Sequence, residues 1–172
     1  MLAEAENAIA ELAQTAHGTL TLGATPGVGI YLLPRWIQAF RQRYPQVAIH
    51  LQTGTTPHLA SELLSGKIDL GFVEGEISPQ PPLNLLPLKK IELVVVVGEE
   101  HPWASARKVS IPELNSQPFV ARPAGSHTRQ WTDQLFAQHG ITPRIAAEFD
   151  NPEAIKQAVA AGLGISILPD WA

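Results

Sequence analysis

The stretch Arg122-Pro123-Ala124-Gly125-Ser126-His127-Thr128-Arg129 places two guanidinium groups beside a glycine and two hydroxyls. That combination suits a carboxylate or a phosphate. Arginine offers a planar fork of donors, and hydroxyls and main-chain N–H groups can complete a cradle. Two other stretches share the chemistry: residues 23–31 and 53–57 are rich in Gly, Thr and Pro, and each leads from a strand pattern into a helical one. Helix N-termini carry unpaired N–H groups and partial positive charge. At the carboxyl ends of parallel strands, such loops form the usual binding crevice. The alternative reading of 122–129 is a capped helix with two solvent-facing arginines.

Other chemistries find less support. Gly27-Val28-Gly29 opens like a dinucleotide fingerprint, but Leu32 stands where the third glycine belongs, and no acidic residue follows the second strand. Ser126 and His127 are adjacent on a cap, where one side chain usually points away from the other, and Gly-x-Ser-x-Gly is absent. The histidines at 17, 50, 58, 101, 127 and 139 show no ligand spacing. Asp69 lies between Ile68 and Leu70 and is expected to be hydrogen-bonded at a strand end. No base–nucleophile pair emerges, so the expectation is a binding protein, not an enzyme, with no cofactor and no metal.

The elements that must position these residues alternate between strand and helix. Leu20 and Leu22 alternate with threonines as a strand. Leu33, Ile37, Phe40 and Tyr44 mark one helical face, and Pro45 ends it. Val47, Ile49 and Leu51 form a second strand. Thr56-Pro57 reads as N-cap and first helical residue, with Gly66 closing the helix. Ile68 to Val73 is the third strand, so 18–73 is a parallel βαβαβ unit. After the proline-rich 74–82, the β-branched run Ile91 to Val97 predicts a strand buried on both faces. Then come a capped turn at Ser110–Glu113, a strand at Phe119–Ala121, and a helix from Ser126 to about His139 with Trp131, Leu135 and Phe136 inward. Ile145–Phe149 is a strand, Asn151-Pro152 starts a further helix that Gly162 ends, and Gly164–Leu168 is the last strand. Residues 1–17 stand apart. Leu2, Ala5, Ile9, Leu12 and Ala16 recur at the spacing of a coiled-coil seam. They read either as a helix packed on its own domain or as the end of a longer dimerising helix.

The chain has 172 residues, 45% hydrophobic and 16% charged, with a formal net charge of −4. That allows one domain or two small lobes. No apolar run approaches the ~18 residues of a membrane span. The start carries acidic groups and no basic one before His17, unlike a secretory signal. The absence of cysteine excludes disulfides and thiol chemistry. The acidic balance argues against this chain gripping nucleic-acid phosphates itself. The expectation is a soluble, cytoplasmic α/β protein.

Five motifs in order then resemble the LysR-type transcriptional regulators. They are Leu33-Pro34, Phe40 to Pro45 (FRQRYP), Leu63 to Phe72 (LLSGKIDLGF), His101-Pro102 and Ala161 to Pro169 (AGLGISILP). The resemblance covers the chain from Gly18 onward. It implies a type 2 periplasmic-binding-protein-like fold: two Rossmann-like α/β lobes joined by crossover segments, near Leu88–Glu92 and Leu168–Asp170, with a small anionic effector between them. By position, Thr25 and Gly27 match the family's first-lobe contacts, Thr55 and Thr56 its second loop, and Ser126, Thr128 and Arg129 its second-lobe contacts. Arg122 joins them as a partner for the anion. The stretch from Arg122 to Arg129, followed by Glu153 to Val159 (EAIKQAV), looks most like the regulators of autotrophic carbon fixation, which respond to phosphorylated or redox metabolites.

The resemblance also divides the chain: 1–17 as the end of the linker and dimerisation helix, 18–88 as lobe I, 89–169 as lobe II, and 170–172 as the start of a return crossover. The family's amino-terminal helix-turn-helix is missing from this stretch, so promoter DNA is expected to be reached only through that domain. The chain stops at Ala172, where relatives return to the first lobe, so some apolar surface of lobe I is expected to be uncovered. The expected partners are the small anion and copies of the chain in a homodimer or tetramer, and no membrane. The rival readings are a transport-type solute-binding protein with the same fold and an enzyme built on it.

Overall fold

A computed structural model of the chain describes residues 17–75 and 81–172. The expected coiled-coil seam of Leu2 to Ala16 lies outside the described residues. The chain divides into two compact units: one runs to Val73 and includes Pro81–Leu83, and the other takes Glu74 onward and Asn84–Ala172. Residues 84–88 therefore group with the second unit, whereas the sequence reading ended lobe I at 88.

In the first unit, strands β1 (Gly18–Ala24), β2 (Val47–Thr53) and β3 (Leu70–Phe72) form a parallel sheet in the order β2-β1-β3. Its register aligns Ala24 with both Thr53 and Phe72, so all three strands end at one edge. Helix α1 (Pro26–Tyr31) follows β1, and α2 (Leu33–Arg43) continues from it. Prolines in both first turns lack N–H groups that no helical carbonyl would receive there. The expected loop 23–31 is thus the end of a strand and a short helix. Gly29 lies inside α1 because the helix packs closely on β2: a Cβ there would sit 3.1 Å from the Thr53 methyl. Helix α3 (Thr56–Leu64) has Thr55 as its N-cap, one residue earlier than expected, with Thr56 as the first helical residue. The left-handed Gly66, φ +71°, follows its end.

The second unit centres on β5 (Pro118–Ala121), which pairs in parallel with β6 (Arg144–Glu148) and bridges to Ile165. The two-residue period of β5 sends Phe119 and Ala121 to one face and Val120 to the other. Phe119 meets Phe136 of α4 (His127–Gln138) edge-on, with centroids 5.3 Å apart. Val120 packs with Ile155 and Val159 of α5 (Pro152–Ala160). Strand β4 (Leu93–Val96) pairs antiparallel with β7 (Ser166–Pro169). The expected strand buried on both faces is shorter, and Val94 is 43% exposed. An apolar run guarantees double burial only when both faces are covered. Trp131, expected inward, is also exposed, because Thr128, Thr132 and Phe136 form the buried stripe of α4 and Trp131 lies to one side of it.

Candidate functional site

In the first unit, the common strand edge is fixed by main-chain bonds. The N–H of Thr25 donates to the Phe72 carbonyl at 3.1 Å, and that of Gly54 donates to Ala24 at 3.0 Å. Thr25 is the N-cap of α1, with extended backbone, yet its side chain makes no capping bond. Its hydroxyl is sealed from solvent and has no partner among the described residues. The same holds for the Thr56 hydroxyl at the start of α3. Gly27 is buried within α1, whereas Thr55 is exposed and makes no side-chain capping bond. A buried hydroxyl left unpaired costs about 1–3 kcal/mol, so two at one sheet edge call for an explanation.

In the second unit, β5 delivers Arg122 and β6 leads to Asp150. Arg122 is buried, and desolvation pulls its guanidinium below the ordinary arginine value while Glu74 and Asp150 push it back. Its Nε has no hydrogen-bond partner among the described residues. Ser126 caps α4, its Oγ accepting from the Arg129 N–H at 3.2 Å, and Thr128 is buried in the first turn. Arg129 is differently employed. Its Nε lies 2.9 and 3.0 Å from the two carboxylate oxygens of Asp133. Its Nη1 donates to the Arg122 carbonyl at 3.0 Å and to Glu148 at 3.2 Å. Of the two guanidinium groups expected to face an anion, the protein's own carboxylates engage this one directly.

Glu74 was not among the expected site residues. It follows β3, is buried, and burial raises its carboxyl above the ordinary value more than Arg122 lowers it. Its Oε2 has no partner among the described residues. The available signal was position: Glu74, like Thr25, comes just after the end of a strand whose carboxyl edge carries the polar loops. Asp69 is hydrogen-bonded at a strand end as expected, accepting from the Thr21 N–H at 2.8 Å and returning its own N–H to the Thr21 carbonyl. His58 pairs with Glu62 at 3.5 Å, and among the described residues no group of three potential ligands could hold a metal.

Polar loops at the carboxyl ends of parallel strands, with buried threonine hydroxyls and a buried arginine Nε that have no hydrogen-bond partner among the described residues, point to a class: α/β domains that bind small polar ligands. The family is then specific. The LysR substrate binding domain matches residues 13–172, and the chain belongs to that family. A probable RuBisCO transcriptional regulator of Cyanophora paradoxa is 35% identical over 167 residues, covering 94% of this chain and 52% of that protein. The chain spans about half the length of the curated relatives it matches. Among solved structures, the Synechocystis PCC6803 CcmR regulatory domain in complex with 2-PG is 31% identical with a TM-score of 0.79, covering 90% of this chain and 73% of that one. The effector binding domain of QuiR in complex with shikimate is 28% identical with a TM-score of 0.80, covering 91% and 76%. The chain therefore has the periplasmic-binding-protein-like α/β fold expected from its motifs and is an effector-binding domain of the LysR type. Its named relatives include transcriptional regulators. Among the described residues, no helix is long and apolar enough to cross a membrane.

Proposed function

We propose that this chain senses a small anionic metabolite for a cytoplasmic transcriptional regulator of the carbon-fixation kind. In that reading it works as a dimer or tetramer and reaches promoter DNA through a separate helix-turn-helix domain. The residues assigned to the ligand are Thr25, Gly27, Thr55 and Thr56 on the first unit, and Arg122, Ser126 and Thr128 on the second. Arg129 belongs to the same set, and its bonds to Asp133, Glu148 and the Arg122 carbonyl hold it beside the Arg122 loop. The observation that carries this is the pair of buried, unpartnered hydroxyls at Thr25 and Thr56. The 2-PG and shikimate complexes of the two structural neighbours support an acidic ligand. Whatever the ligand, it can shift the chain only by its differential affinity for the states available.

The test is thermal unfolding against 2-PG, shikimate, sugar phosphates, nicotinamide nucleotides, aromatic acids and sulfate. A specific ligand at 100 times its Kd adds about 2.7 kcal/mol, which raises Tm by roughly 5–10 °C in a chain this size. Thr25→Val and Thr56→Val remove the hydroxyls with little change of shape. Each is expected to abolish the ligand-induced shift while leaving the free chain as stable or more so, because an unpaired buried hydroxyl is lost. Valine variants that respond like the parent chain would sink the assignment.

A further inference from the structure

Among the described residues, Glu74 and Arg122 are the two buried charged residues of the second unit, each 8% exposed. The Glu74 Oε2 and the Arg122 Nε are both closed off from solvent, and neither has a hydrogen-bond partner among the described residues. Ionised, Glu74 can only accept a hydrogen bond, and Arg122 can only donate. A group that satisfies both must therefore donate and accept at once. The surroundings sharpen the requirement. Asp150 as well as Glu74 acts electrostatically on Arg122, so the guanidinium already feels two negative groups. Gly75, φ +100°, seats the segment against α4: a Cβ there would lie 2.5 Å from His127. A ligand made only of acceptors would bring further negative charge beside Glu74, in a medium too apolar to screen it.

We infer that Glu74 decides which anions Arg122 accepts: the bound group must bring its own hydrogen, as a hydroxyl, an ammonium or an acid phosphate does, and a bare acceptor anion is turned away. This rests on the assignment of Arg122 to the ligand above. It narrows the ligand class to hydroxy acids, amino acids and phosphates that retain a proton.

Phosphate and sulfate make the test, since both are tetrahedral and of similar size. Near pH 7 phosphate keeps at least one hydrogen and sulfate has none. Titration calorimetry and thermal unfolding at matched ionic strength are expected to show phosphate bound at least about tenfold more tightly than sulfate. Glu74→Gln supplies an amide N–H in place of the carboxylate, and should bring sulfate to within about threefold of phosphate. Glu74→Asp should keep the preference for phosphate. Equal binding of the two anions by the parent chain overturns the inference without any variant. A preference unchanged in Glu74→Gln overturns it as well. If neither anion binds or stabilises either protein, Arg122 is not an anion residue, and the assignment beneath this inference fails first.

Discussion

Arg129 holds three groups at once: the carboxylates of Asp133 and Glu148 and the carbonyl of Arg122. Both carboxylate partners are about half exposed, so the ion pairs themselves contribute little, and the value of the arrangement lies in fixing the loop that carries Arg122. Glu74, by contrast, has an Oε2 with no hydrogen-bond partner among the described residues. Burial raises its carboxyl, so the folded chain binds that proton more tightly than the unfolded chain does. The resulting stability is fully present below the ordinary carboxylate value and is lost as pH rises through the raised folded value. The stability of the parent chain relative to Glu74→Gln should therefore increase as pH falls from 7 towards 4.5. Urea unfolding across that range checks it, and a flat or opposite trend would mean that burial does not dominate at Glu74.

The elements of the second unit are joined at tight turns, and two glycines between α5 and β7 make the contrast clear. Gly162 has φ +80° with nothing within 4 Å of where a Cβ would stand. Gly164 has φ +151°, and its Cβ would lie 2.2 Å from the Pro118 carbonyl oxygen. That approach lets Ile165 bond β5 from both sides, its N–H donating to Pro118 and its carbonyl accepting from Val120, each at 2.8 Å. Gly162→Ala is expected to cost about 1 kcal/mol, the price of a left-handed residue alone. Gly164→Ala should cost about 3 kcal/mol or more, because backbone rather than a flexible side chain must move. Denaturant titration of the two variants should separate them clearly; equal losses would show that β7 can shift without harm.

Across the molecule the buried side chains are unevenly shared. The second unit buries Leu114, Phe119, Val120, Phe136, Ile141, Ile155, Val159, Ile165, Ile167 and Leu168 on both faces of β5 and β7. Among the described residues, the first unit buries Leu22, Ala24, Val28, Leu33, Leu59 and Ile68, and both units also expose large apolar side chains, Leu51 and Leu70 in the first and Leu86 and Leu88 in the second. Less apolar area removed from water means less stabilisation to offset chain entropy. Hydrogen exchange should therefore find the amides of β2 and α2 opening at lower free energy than those of β5 and β7. Matching protection in the two units would show that they unfold as one.

Much of this was legible in the sequence because it is encoded locally. Strand and helix periods, the prolines in first helical turns, the caps at Ser126 and Asn151, and the glycines that close helices act within a few residues of themselves. The family motifs lie in the same local segments. The loops at strand ends could be read as a set, since a parallel βαβαβ pattern forces its strand ends to one edge. What needed the tertiary structure was pairing between distant residues. Nothing near Arg129 in sequence announces Glu148, and nothing near Glu74 announces Arg122. The same applies to Val94 and Trp131, whose exposure depends on which neighbours cover a face. Local sequence sets what a segment prefers to become, whereas burial and charge pairing depend on what the rest of the chain brings against it.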